Sequence, residues 1–343
     1  MRRALILTAL LALAACAGNG GETPETLRIL SHDSFRDGVT DETFAVFTEE
    51  TGIEIEVVAA GDAGAMVNQA VLSKDNPLAD VLFGVDETFL SRALDNEIFQ
   101  AHTAEGIDTV DPSMRIEGDP VTPIDFGDVC INYDKGWFEE NDVEVPQTLD
   151  DLRSPEMASL LVVTHPATSS PGLAFVLATI EEYGEDGWLE FWSDLHEGGV
   201  RVESSWSTAY YETFTRYGGD RPLVLSYASS PPAEVLNAEE PLDEAPTGVI
   251  TEGCYRQIEY AGILAGTEYP EAAGQLIDFM LSPAFQEQVP ESWFVFPANG
   301  EVGLPAEWAE HTVLPDDPAR LDPAEIGSER ARWIDEWIAV LEG

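Results

Sequence analysis

Short apolar runs of strand length alternate with helical stripes twice along this chain, and that repeated alternation restricts the fold more than any other feature. The first series opens with Leu27 to Ser31 and a helical stretch through Phe44, Ala45, Phe47 and Thr48 that stops at Thr51-Gly52. The alternating strand Ile53 to Val58, the loop Ala60 to Gly64, a stripe of Met66, Val67, Ala70 and Val71, and a strand from Ala79 to Asp86 complete it. This order predicts a mainly parallel sheet covered by helices on both faces. The extended run Pro123 to Asp134 leads into the second series: strand Leu160 to Thr164, a Ser-rich loop from Thr168 to Gly172, and helix Leu173 to Tyr183. Strand Val200 to Val202, a helix from Trp206 to about Arg216 and strand Leu223 to Leu225 follow, and Thr247 to Ile258 reads as a return strand. Helices are expected at Glu271 to Leu281, Pro283 to Gln288 and Glu329 to Leu341, the last with Trp333, Ile334, Trp337, Ile338 and Leu341 on one core-type stripe.

Cys130 stands where the chain enters the second series and Cys254 where it leaves. That placement suggests an α/β fold of two lobes joined by two hinge segments, with a ligand cleft between them. The expected division is 27–129 for the first lobe, 130–253 for the second and 254–343 for the return to the first. The two cysteines form either one bridge or two buried thiols. A bridge would close a loop of more than a hundred residues, for which chain entropy gives about 4 to 5 kcal/mol.

Arg2 and Arg3 precede the apolar run Ala4 to Ala15, the pattern of a secretory signal. The run closes in Leu13-Ala14-Ala15-Cys16, which resembles the lipobox of bacterial lipoproteins. The resemblance implies removal of 1–15, acylation of Cys16, a flexible tether over 16–26, and a cell-membrane lipoprotein facing the extracytoplasmic space or periplasm. The charge balance is 16 basic against 65 acidic residues. Such a surface repels nucleic acid and anionic membrane and draws cations, but the acids are spread along the whole chain, so solubility or salt adaptation accounts for most of them.

The residues at predicted strand ends form a binding inventory rather than a catalytic one. They are His32, Asp62 and Ala63, then Ser169 and Ser170, Trp206, and the run Tyr227, Ala228, Ser229 and Ser230 that ends the strand Leu223 to Leu225, with Trp293 further on. Ligands of α/β proteins sit beyond the carboxyl ends of strands. No nucleophile stands in an elbow context, no phosphate loop of the P-loop type appears and the five His residues show no metal spacing, so no enzyme, cofactor or metal is expected. Asp62 could instead be only a helix cap, Ser169 only a cap, and the two Trp residues core aromatics. Asp125 belongs to the same inventory, and its place in the entry segment leaves a structural role as the alternative.

Several words in order carry a specific likeness: His32-Asp33-Ser34-Phe35, Ala79-Asp80-Val81, Thr168 to Leu173, Trp206-Ser207-Thr208-Ala209-Tyr210, Leu223 to Tyr227, Ser282-Pro283-Ala284-Phe285-Gln286 and Trp333-Ile334-Asp335-Glu336-Trp337. From about Leu27 to Leu341 the chain resembles the thiamine-binding components of bacterial ABC importers. The resemblance implies a two-lobe periplasmic-binding-protein fold of type II, mixed sheets flanked by helices, and a monomer that delivers thiamine or a thiamine phosphate to a permease and its ATPase. Aromatic rings would stack on the flat thiamine rings, Asp62 would offset the thiazolium charge or accept from the aminopyrimidine, and the serines would supply hydrogen bonds. The family usually carries Tyr where this chain has His32 and an aromatic where it has Ala233. A ferric-ion receptor of the same architecture is the alternative, on the adjacent pair Tyr210-Tyr211.

Overall fold

The computed structural model describes residues 23–238 and 240–343, so the lipobox and Cys16 lie outside the described residues. Ten strands make up its sheet: β1 (Thr26–Ser31), β2 (Glu54–Ala59), β3 (Val81–Asp86), β4 (Phe99–Gln100), β5 (Thr122–Asp134), β6 (Leu161–Thr164), β7 (Arg201–Glu203), β8 (Leu223–Tyr227), β9 (Thr247–Leu264) and β10 (Phe296–Pro297). The main path runs β2-β1-β3-β9-β5-β8-β6-β7, with β4 on β9 and β10 on β5.

The path repeats one pattern. In the first lobe β1 lies parallel to β2 and β3, and β3 meets β9 antiparallel; in the second β6 lies parallel to β7 and β8, and β8 meets β5 antiparallel. Both lobes are α/β, and every residue of β3 and β6 is buried, as a strand covered by helices on both faces requires. The mixed sheets join into one because β5 and β9 run through both lobes, paired from Thr122↔Ala261 to Asp134↔Thr247. The return strand is accordingly longer than the sequence predicts. Its far end is buried against first-lobe neighbours and carries no clear alternation. Cys130 of β5 and Cys254 of β9 are bonded, with Cα atoms 4.5 Å apart, at the crossing between the lobes.

Two helices differ from expectation. The helix that begins at Ser170 continues to Gly198 across a break at Gly184 (φ 67°), where the chain turns out of helical geometry and resumes. The helix expected from Trp206 to Arg216 is instead a short turn over Trp206–Thr208, a π turn over Ala209–Thr213 and a 3-10 turn over Thr215–Tyr217. The wide turn, closed by the Phe214 N–H on the Ala209 carbonyl at 3.0 Å, buries Tyr210 and leaves Tyr211 facing the cleft. The stripe Trp333 and Trp337 is fully buried on the helix Pro323–Leu341. Trp337 packs 5.5 Å from Trp192 of the second lobe, and Arg330 lies over Phe89 of the first, so this last helix touches both lobes.

Candidate functional site

Between the lobes lies a cavity of about 500 Å³ whose walls come from the carboxyl ends of strands and the loops that follow. On the first-lobe side stand His32, Phe35, Asp62, Ala63, Asp125, Gln257, Glu259 and Trp293; on the second stand Ser170, Trp206, Tyr211, Tyr217 and Tyr227. Among the described lining residues none is Lys or Arg, and Asp37, Asp62, Asp125, Glu259 and Glu291 are acidic.

Asp62 joins the two walls. One carboxylate oxygen accepts the Ala63 N–H at 2.8 Å and caps the helix Ala63–Leu72, and the other accepts the Trp206 N–H at 3.0 Å. It is therefore both cap and cavity carboxylate. The Gly64 N–H reaches the Thr168 carbonyl at 2.9 Å, a second bridge between the lobes. Burial pushes the Asp62 pKa up, opposed by the His32 ring and by the two amide donors.

Trp206 stacks on Tyr210 with ring centroids 4.9 Å apart, and its Nε1 donates to Ser226. Its other aromatic neighbours, Tyr211, Tyr227 and Phe294, meet it edge-on, so the face turned from Tyr210 has no stacked partner among the described residues. That face suits a flat cationic ring. Replacing Trp206 by leucine removes the π surface together with the Ser226 hydrogen bond and part of the packing on Tyr210; ligand affinity is expected to fall about tenfold or more (~1 to 2 kcal/mol) by titration calorimetry, with a lowered melting temperature. Trp293 lines the cavity but stacks on Phe285, packs at a 30° tilt against Phe35 and donates to the Phe35 carbonyl at 2.9 Å, so it is packed core as well as wall.

The Tyr227 hydroxyl donates to Gln257 Oε1 at 3.2 Å, and its ring fits because Gly127 opposite carries no Cβ; one would lie 2.9 Å from the ring. His32 caps the helix Asp33–Gly38, with Nδ1 3.1 Å from the Phe35 amide and Nε2 3.3 Å from Glu259. Burial lowers the His32 pKa, but Glu259, Asp62 and Asp33 outweigh it and hold it above the ordinary value. Gly84 makes room for the ring: its φ is +96°, and an added Cβ would lie 2.2 Å from His32 Cδ2. Gly84→Ala is expected to cost about 1 to 2 kcal/mol in thermal unfolding and to displace His32 from the cavity.

Of the predicted site residues, His32, Asp62, Ala63, Ser170, Trp206, Tyr227 and Trp293 line the cavity together. Ser169, Ala228, Ser229 and Ser230 do not. The Ser169 hydroxyl donates to Thr164, Ser230 pairs with Ser226, and all four residues are fully buried behind the wall. Ser229 donates to the carbonyl of Phe294, whose φ of 64° places a bulky residue in left-handed geometry at the cavity's edge. Gln257 and Glu259 are missed by the sequence reading, and Asp125, which the sequence leaves between a site and a structural role, lines the cavity.

Known proteins resemble the chain over most of its length. A family model described as "Bacterial extracellular solute-binding protein" matches residues 76–320. The thiamine-binding periplasmic protein of Escherichia coli (strain K12) is 31% identical over 313 residues, covering 91% of this chain and 92% of that one. A solved periplasmic thiamin binding protein superposes with a TM-score of 0.82 at 28% identity, over 92% of this chain and 96% of that one. Iron uptake protein A1 of Synechocystis sp. (strain ATCC 27184 / PCC 6803 / Kazusa) is 24% identical over 88% of this chain and 84% of its own length.

Proposed function

The chain belongs to the bacterial extracellular solute-binding proteins, and from that premise we propose that it captures thiamine between its lobes and delivers it to an ABC importer. The observation that carries the reading is a cavity walled by aromatic rings and carboxylates with no Lys or Arg among its described lining residues. Thiamine is a flat aminopyrimidine joined to a permanently cationic thiazolium; the rings call for stacking surfaces and the charge for carboxylates. Trp206 and Tyr227 supply the first, Asp62, Asp125 and Glu259 the second. Ser170, which lines the cavity and has an unpartnered hydroxyl, supports the reading as a further hydrogen-bonding group for the ligand.

The iron reading is weaker on the same geometry. Tyr210 is fully buried and gives its hydroxyl to Glu234, and burial pushes its pKa well up, so the adjacent pair does not turn two phenolates to the cavity. The receptor works outside the cytoplasm, as its family does, and we assign its attachment to an acylated Cys16. Native mass spectrometry of freshly purified, unrefolded protein tests the choice of ligand: the expected adduct has the mass of thiamine or a thiamine phosphate, whereas an iron adduct with a visible tyrosinate band would overturn it.

A further inference from the structure

Asp86, Glu259 and Asp125 stand in one row across three neighbouring strands. Asp86 of β3 is directly opposite Glu259 of β9, and Glu259 is directly opposite Asp125 of β5. Residues paired in this way share a face, with Cβ atoms about 4.5 to 5.5 Å apart, and like charges so placed repel. Water screens them little: Asp86 is 0% exposed and Asp125 2%, and the Glu259 side chain 12%. Asp125 Oδ1 is buried without a partner although the residue lines the cavity, and Asp86 Oδ2 also lacks one, its other oxygen taking the Thr88 hydroxyl at 2.7 Å. Such a row cannot hold three negative charges beside one another, so the empty receptor keeps at least one carboxyl protonated.

We propose that this acidic row is the subsite for the cationic part of the ligand, and that a carboxyl of the row gives its proton to solvent as that cation binds. The inference rests on the thiamine reading and goes beyond it, because it makes capture a cation-for-proton exchange. The balance is simple: one O–H bond of the row breaks, its proton passes to water or buffer, and the ligand's fixed positive charge takes its place beside the carboxylate. The direction of each pKa agrees with the geometry. Burial, and then the neighbouring Glu259, push Asp125 well up; burial raises Asp86 to about 7 against the Thr88 hydrogen bond, and Glu259 adds to the rise.

Other ionisable groups face the row from every side. Toward the cavity are His32, 3.3 Å from Glu259, then Asp62 and the Tyr227 phenol, with Asp33 adding to the field at His32. Behind the row, Glu87 is buried with its own pKa raised, Tyr255 and Tyr260 of β9 feel the acids, and Arg320 and Arg330 supply positive charge at the rear. Neither arginine lines the cavity, and the titratable base on the cavity side is His32, whose Nε2 lies 3.3 Å from Glu259 and whose pKa the acids raise. With no Lys or Arg among the described lining residues, the row meets a fixed positive charge on its cavity side only when the ligand arrives.

The sign follows. A cation beside the row lowers carboxyl pKa values in the complex below those of the empty receptor, so binding releases protons and strengthens as pH rises until the row is empty of them. Titration calorimetry of the full soluble protein, in buffers of different ionisation enthalpy at neutral pH, should show close to one proton released per thiamine bound. Affinity should climb toward tenfold per pH unit between about pH 5 and about pH 7. The neutral thiophene isostere of thiamine should bind with no net proton release. Asp125→Asn and Glu259→Gln should weaken thiamine about tenfold, cut the proton count, and change the isostere less than about twofold. Thermal unfolding checks that each variant folds, and the wild-type proton count needs no variant. Thiamine binding without proton release, or variants that weaken thiamine and isostere alike, would overturn the exchange while leaving the thiamine reading standing. Failure of wild-type protein to bind either compound would overturn both.

Discussion

Replacing Asp62 with alanine is expected to weaken thiamine capture by about two to three orders of magnitude, roughly 3 to 4 kcal/mol. The residue has three tasks at one position. It caps the helix Ala63–Leu72, it takes the Trp206 N–H from the opposite lobe at 3.0 Å, and it places a carboxylate in a cavity whose described lining holds no Lys or Arg. Losing the cap alone costs about 1 kcal/mol of stability and leaves affinity nearly untouched. Losing the bridge leaves the Trp206 amide without its acceptor, and losing the charge removes a carboxylate that the thiamine reading sets against the thiazolium. Asparagine at 62 separates the terms: it can still cap and bridge through its amide oxygen, so affinity should recover in part while the share owed to charge stays lost. Titration calorimetry on both variants reads the split, and equal affinity in wild type and Asp62→Ala would remove Asp62 from the site.

The second large effect concerns the crossing of the lobes. Cys130→Ser combined with Cys254→Ser should lower stability by about 2 to 5 kcal/mol, because the bond spans a sequence separation of 124 and restricts the unfolded chain more than the folded one. Both residues are buried between β5 and β9, where eighteen-residue β9 and thirteen-residue β5 already pair along most of their length, so the folded crossing survives without the bond. Thermal unfolding should therefore shift down while thiamine affinity of the folded protein changes less than about threefold. A large loss of affinity at unchanged melting temperature would mean that the bond sets the cleft's geometry.

How much of this was legible in the sequence depended on the kind of signal. The strand-helix alternation predicted both lobes because short apolar runs such as β3 and β6 are the mark of strands covered on both faces, and the Trp333/Trp337 stripe predicted a buried helix face because helical spacing puts them on one side. Asp62, Trp206 and Tyr227, which line the cavity, were legible as candidates because each stands in the stretch after a predicted strand and can stack or bear charge. Gln257 and Glu259 were missed because they lie in mid-strand, where the sequence gives no loop to mark a site. Their spacing of two places them on the same face, and the partner that makes Glu259 telling, Asp125, is remote in sequence and meets it only through the register of β5 on β9. Ser169, Ser229 and Ser230 show the converse: hydroxyls at a strand end looked like ligand donors, yet the chain uses them to satisfy its own buried groups. The π turn at Ala209–Thr213 was hidden because its composition is that of an ordinary helix.

The central claim is that one thiamine molecule binds in the cleft between the lobes. The measurement that meets it most directly is titration calorimetry of thiamine into protein unfolded and refolded to strip carried ligand. The account predicts saturable binding of one thiamine per chain; absence of heat with thiamine and with its phosphates, from protein shown to be folded, would contradict it.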